Sequence, residues 1–91
     1  MAEPLTVQEL KKRIDVVRDD IDDVLAALII AGREWVESYV GHPIDPANVP
    51  ETFKAAISIY VRAMHEDGAI SESYRIALEA LCYRYRTLAI A

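Results

Sequence analysis

Asp19 to Gly41 reads DDIDDVLAALIIAGREWVESYVG, and this stretch decides the fold. Four aspartates fill five positions, and an apolar stripe follows them. Ile21, Val24, Leu25, Leu28, Ile29, Gly32, Trp35, Val36, Tyr39 and Val40 fall at the i, i+3, i+4, i+7 spacing of one helix face. Asp19 or Asp20 is expected to cap this helix, because carboxylates in a first turn meet unpaired backbone amides, an effect of about 0.3–1 kcal/mol each at the surface. Gly41 is the expected left-handed residue after the last turn, and Pro43 prevents continuation. In a chain of 91 residues such a helix must be the spine on which the rest packs. A second, shallower strip of Ala26, Ala27 and Ile30 lies off the main face. It offers a place for another helix or for a neighbouring molecule.

Upstream of the spine, Thr6-Val7-Gln8-Glu9 forms a capping box, and Leu5 can staple against Leu10. A short helix follows over about Val7 to Ile14. Lys11, Lys12 and Arg13 stand near its C-terminal end, where the dipole favours cations. Asp15 to Asp19 reads as a connector. Downstream, His42 to Val49 (HPIDPANV) is a loop with two prolines. Pro50 suits the first turn of a third helix, since its missing amide hydrogen leaves nothing unpaired. That helix runs to about Glu66, with Phe53, Ala56, Ile57, Tyr60, Val61 and Met64 as its buried stripe. Asp67-Gly68 ends it. Ser71 or Ser73 caps a fourth helix with Tyr74, Ala77, Leu78, Leu81 and Tyr85 on one face. No alternating run and no hairpin dipeptide appears between apolar segments. The expected fold is all-α: a small bundle of about four helices on one long central helix, with a loop at about 42–49, as a single domain spanning 1–91.

Composition narrows the function. An apolar fraction of 53% supports a core, but a small one. Domains of this size are only modestly stable alone, so a partner is plausible before any motif is read. The net charge of −5 argues against a general nucleic-acid binder, whose affinity comes from a basic face. No secretory signal is visible in MAEPLTVQEL, and no apolar run reaches the length of a membrane span. A soluble chain of cytoplasmic origin, with no membrane partner, is expected. The single cysteine, Cys82, sits in a helical apolar pattern and reads as a small core residue.

Catalytic, metal and cofactor sites find little support. The cluster Asp15, Asp19, Asp20, Asp22 and Asp23 lacks the mid-loop glycine and final glutamate of a calcium-binding loop. It reads as a helix start with a solvated acidic surface, or as an electrostatic contact for a basic partner. His42 and His65 have no companions at ligand spacing. No serine sits in a strained turn motif, and three glycines make no phosphate-cradling loop. No enzyme activity and no cofactor are expected. A helix-turn-helix reader would need a recognition helix with basic and amide side chains, and the third helix offers only Lys54 and Arg62.

The segment Tyr83-Arg84-Tyr85-Arg86 interleaves aromatics with guanidinium groups and precedes the apolar tail Leu88-Ala89-Ile90-Ala91. It reads either as a last turn with snorkelling arginines or as a docking surface. In the second reading the acidic helix start on a neighbouring copy is its complement. The candidate subunit or partner interface is therefore Asp19, Asp20, Asp22, Asp23 and Ile30 together with Tyr83, Arg84, Tyr85 and Arg86.

The order of these pieces resembles the short head–tail connector proteins of long-tailed bacteriophages, also described as DNA-packaging or portal adaptor proteins. Leu5 to Lys11 resembles the family's opening capped helix. Ile14-Asp15 followed by Asp19 to Leu25 resembles its acidic approach to the long helix. Ala31 to Gly41 resembles the aromatic and glycine that close that helix, and Val49-Pro50 and Leu81 to Arg86 resemble the close of the chain. The fourth helix departs from the pattern: Arg84 stands where the family often has proline, which lets the last helix run on. The resemblance implies a structural role, as a homo-oligomeric ring of around a dozen copies beneath the portal protein. Such a ring joins capsid to tail or stopper protein and surrounds the DNA channel, where DNA passes without specific binding. It also implies a place in the virion, at the head–tail junction, after assembly in the bacterial host cytoplasm. The alternative is a small helical regulatory or nucleic-acid-binding module.

Overall fold

The computed structural model describes residues 3–86. Four α-helices follow one another: α1 (Val7–Ile14), α2 (Asp22–Val40), α3 (Glu51–Asp67) and α4 (Glu72–Cys82), with a 3-10 turn at Tyr83–Tyr85. Among the described residues there is no strand. The all-α expectation holds, and α2 is the longest element.

The chain begins as its caps dictate. The Glu9 N–H donates to Thr6 Oγ1 at 3.1 Å, and the Thr6 N–H donates to Glu9 Oε1 at 3.2 Å. That backbone bond, aided by Lys54, holds the Glu9 carboxyl below the usual carboxylate range. Leu5 and Leu10 are both buried, as a staple requires. α1 stops at Asp15, which takes the left-handed conformation at φ 59°. Aspartate tolerates that region better than most side chains, yet glycine adopts it without steric cost. Asp15→Gly is expected to gain about 0.5–1 kcal/mol, read from the urea midpoint.

The start of α2 differs from expectation. Neither Asp19 nor Asp20 caps it. The cap position is Ile21, with no side-chain hydrogen bond, and the helix begins at Asp22. The reason is that Asp19 and Asp22 turn toward Lys11 instead, while Ile21 packs against the core. The other end conforms: Gly41 is left-handed at φ 88°, and its N–H donates to the Glu37 carbonyl.

The core follows the stripes. Leu25, Ile29, Gly32, Val36 and Val40 of α2 are buried. They meet Phe53, Ala56, Ile57 and Val61 of α3, and Leu78 and Cys82 of α4 close the cluster. Four expected stripe members fall outside it, of which Met64 and Tyr74 are half-buried. Val24 and Ala77 lie at the edges of their helical arcs and are exposed. Gly32 lets α2 lie close against α3: a Cβ there would stand 3.2 Å from Tyr60 Cδ1 and 3.3 Å from Ile57 Cγ2. The Ser58 hydroxyl, buried on α3, donates to the Lys54 carbonyl at 2.8 Å.

Loop 42–49 is tied at its base. Glu37 accepts from the Ile44 N–H at 2.8 Å and from Arg33 at 2.9 Å, and Arg33 also reaches Glu3 at 2.7 Å. The tip is a local turn, in which the Asn48 N–H donates to the Asp45 carbonyl and the Ala47 N–H to Asp45 Oδ1. Pro50 lies one residue before α3 and its carbonyl accepts from Phe53. Ser71, not Ser73, caps α4 by accepting from the Tyr74 N–H at 3.3 Å. The whole is flat, with extents of 46 × 30 × 17 Å.

Candidate functional site

The acidic run meets cations of its own chain. Lys11 stands on the apolar side of α1, beside Leu10 and Ile14, and is only 7% exposed. Its ammonium donates to Asp19 at 2.7 Å and to Asp22 at 3.0 Å. The Asp19 hydrogen bond, then that of Asp22, raises its pKa above the ordinary lysine value, so it stays charged across the working range. Asp20 takes a bidentate bond from Arg18, at 3.0 and 2.7 Å, which holds its carboxyl below the usual range. Asp23 is exposed and has no ion-pair partner among the described residues.

The C-terminal residues divide into two pairs. Tyr85 is half-buried and sets its ring edge-on to Phe53, with centroids 4.8 Å apart. Arg86 lies over the Tyr39 ring at 5.1 Å, a cation–π contact. Tyr83 and Arg84 face outward, Tyr83 at 66% exposure. The α-helix itself stops at Cys82, so Arg84 does not extend it and sits in the 3-10 turn. His42 braces that turn: its ring nitrogens stand 3.0 Å from the Pro43 carbonyl and 3.2 Å from the Tyr85 carbonyl. A neutral ring supplies a proton to one of these acceptors at a time. The tail Leu88–Ala91 lies outside the described residues.

The strip of Ala26, Ala27 and Ile30 is shared. On one side it borders a shallow recess of about 200 Å³ that Leu5 and Val7 also line. On the other side it is open, with Ile30 40% exposed. Two larger recesses are open, the first of mixed character and the second polar. One, of about 460 Å³, lies between α1 and the connector and is lined by Lys11, Asp15 and Asp19 among others. The other, of about 300 Å³, lies among Trp35, Ser38, Tyr39, Glu79 and Arg86. Neither brings a nucleophile, a base and an orienting group together. Among the described residues no three His, Cys, Asp or Glu side chains could hold a metal ion, and no helix is long and apolar enough to cross a membrane.

Cys82 is fully buried, and burial pushes its thiol up to about 11. A rise of about two units lowers the thiolate fraction near pH 8 roughly a hundredfold, before access is considered. A thiol reagent at pH 8 is therefore expected to label Cys82 at least about a hundredfold more slowly in the native chain than in urea.

Sequence reasoning missed two features of this surface. Lys11 read as a cation for the helix dipole, although its place between Leu10 and Ile14 already called for a carboxylate partner. The exposed Ile76, on the outer side of α4, was not singled out.

No curated protein and no solved structure matches the chain. The model of one protein family does, that of the phage gp6-like head-tail connector protein, over residues 4–86. That span takes in the capping box, the Lys11–aspartate clasp, all four helices and the Tyr83–Arg86 turn. The chain belongs to the phage gp6-like head-tail connector family.

Proposed function

We propose that this protein is a structural connector that assembles as a ring beneath the portal and carries the tail or a stopper protein on its other side. The match to the head-tail connector family over residues 4–86 supports this reading most strongly. Outward apolar side chains at Ile30, Ile76 and Tyr83 agree with it, since they offer apolar contact area to a neighbour. So does the net charge of −5: an acidic channel wall repels phosphate and lets DNA slide past without adhering. Of the candidate interface residues, Asp23, Ile30, Tyr83 and Arg84 are exposed, and the Asp23 and Arg84 side chains have no ion-pair partner among the described residues. Asp19, Asp20, Asp22, Tyr85 and Arg86 would act mainly by holding the surfaces that present them.

Native mass spectrometry over rising concentration, alone and with the cognate portal protein, tests the proposal. A closed oligomer of around a dozen copies is expected. A chain that stays monomeric and does not bind the portal rules it out. The regulatory or nucleic-acid-binding alternative predicts salt-sensitive DNA binding, and a gel-shift series at low salt with no retarded band would remove it.

A further inference from the structure

Two outward faces of this chain complement each other. On α2, Asp23, Ala27, Ile30, Glu34 and Ser38 follow at three- and four-residue steps, on the side opposite the buried Leu25, Ile29 and Val36. All five are exposed. Ile30 is their apolar centre, and neither Asp23 nor Glu34 meets a cation among the described residues. On α4 and the 3-10 turn, Ile76, Ala80 and Tyr83 form a second outward stripe, opposite the buried Leu78 and Cys82. Ile76 is 57% exposed, and Arg84 borders the stripe with no carboxylate partner among the described residues.

One face thus has an apolar centre at Ala27 and Ile30 between Asp23 and Glu34, and the other is apolar with a basic edge. Their spacing agrees. Glu34 follows Ile30 by four residues, about 6 Å along α2, and Arg84 follows Ala80 by four across the end of α4 and the 3-10 turn, about 7 Å. A surface of this chemistry is the one occupant that the chain itself supplies.

We infer that the Ile30 face of one copy receives the Ile76–Tyr83 face of the next, with Arg84 against Glu34. The inference rests on the ring reading above and gives it a subunit contact. Because two different surfaces meet, the contact is heterologous, and its repetition closes into a ring or runs on as a filament according to the rotation between copies.

Ile30→Glu and Ile76→Glu in the full chain test this. Both sites are exposed, so far-UV circular dichroism should match the wild type. Each variant alone should associate at least about a hundredfold more weakly, because a charge is then buried without a partner. Mixed one to one, they should form a heterodimer and nothing larger in sedimentation velocity, since Ile30→Glu keeps a sound α4 face and Ile76→Glu a sound α2 face. Glu34→Arg and Arg84→Glu should each weaken assembly, and the two together in one chain should restore it.

If the wild type forms rings and both glutamate variants do so equally well, this contact is wrong and the ring reading stands. Variants that form rings but no longer bind the portal or tail protein also overturn it, assigning the face to that protein. A mixture that stays monomeric overturns the heterologous pairing. A wild type that remains monomeric with and without the portal overturns the ring reading and this contact together.

Discussion

Phe53→Ala is expected to cost about 3–5 kcal/mol, the usual range for emptying a buried aromatic site. Phe53 is 2% exposed and lies where α3 meets the C-terminal turn. Its loss removes more than core volume. The Tyr85 ring loses the edge contact that seats it, and the His42 brace to the Tyr85 carbonyl then holds a turn with nothing beneath it. For a domain of this size each kcal/mol shifts the melting temperature by about 4–8 °C, so a fall of roughly 12–40 °C is expected. Urea unfolding followed by circular dichroism measures the free energy directly. Tyr85→Ala separates the contributions: it removes the edge pair, worth about 0.5–1.5 kcal/mol beyond burial, and leaves the core site filled. A Phe53→Ala loss below about 1 kcal/mol would mean that the turn is not seated on α3 as described.

Gly32→Leu is expected to destabilise by about 2–3 kcal/mol, although leucine is much the better helix former. The first carbon of any side chain at this position already meets Tyr60 and Ile57 at 3.2 and 3.3 Å. Three further carbons have no room between α2 and α3 unless the helices part. Separation would open the contact that carries most of the core, since α2 and α3 supply eight of its fourteen buried residues. Alanine makes the informative comparison. It adds only the first carbon, and the helix gains about 1 kcal/mol over glycine, so Gly32→Ala should lie near neutrality. A leucine variant as stable as the wild type would show that the two helices are free to move apart.

The helices were legible because each carries its own punctuation. Thr6 and Glu9, Gly41, Gly68 and Ser71 act on neighbours within a turn, and the apolar spacing between them needs no knowledge of the rest of the chain. The start of α2 was misread because its outcome is decided across the connector: Lys11 competes for Asp19 and Asp22 and wins them from the helix amides. Long-range contacts were invisible for the same reason. Nothing local to Tyr85 names Phe53, and nothing near Arg86 names Tyr39. Tyr83 to Arg86 looked like one motif in sequence, yet only Tyr85 turns toward the core, Arg86 lies exposed over Tyr39, and Tyr83 and Arg84 face outward. The outer face of α2 was half seen, as the strip around Ile30. Its counterpart on α4 requires knowing where the core lies, because Ile76 differs from a core isoleucine only in the direction it points.

The anchoring of loop 42–49 has a practical consequence. Its base is fixed by Ile44, held by Glu37 and Arg33, while Asp45 to Asn48 closes on itself at the surface. Lengthening a surface loop between fixed ends costs little, growing only with the logarithm of its length. A short peptide tag or a fluorophore attachment site placed between Pro46 and Ala47 should leave the helices undisturbed. The protein thereby carries a built-in labelling position, away from both outward faces in sequence, for following its incorporation into particles.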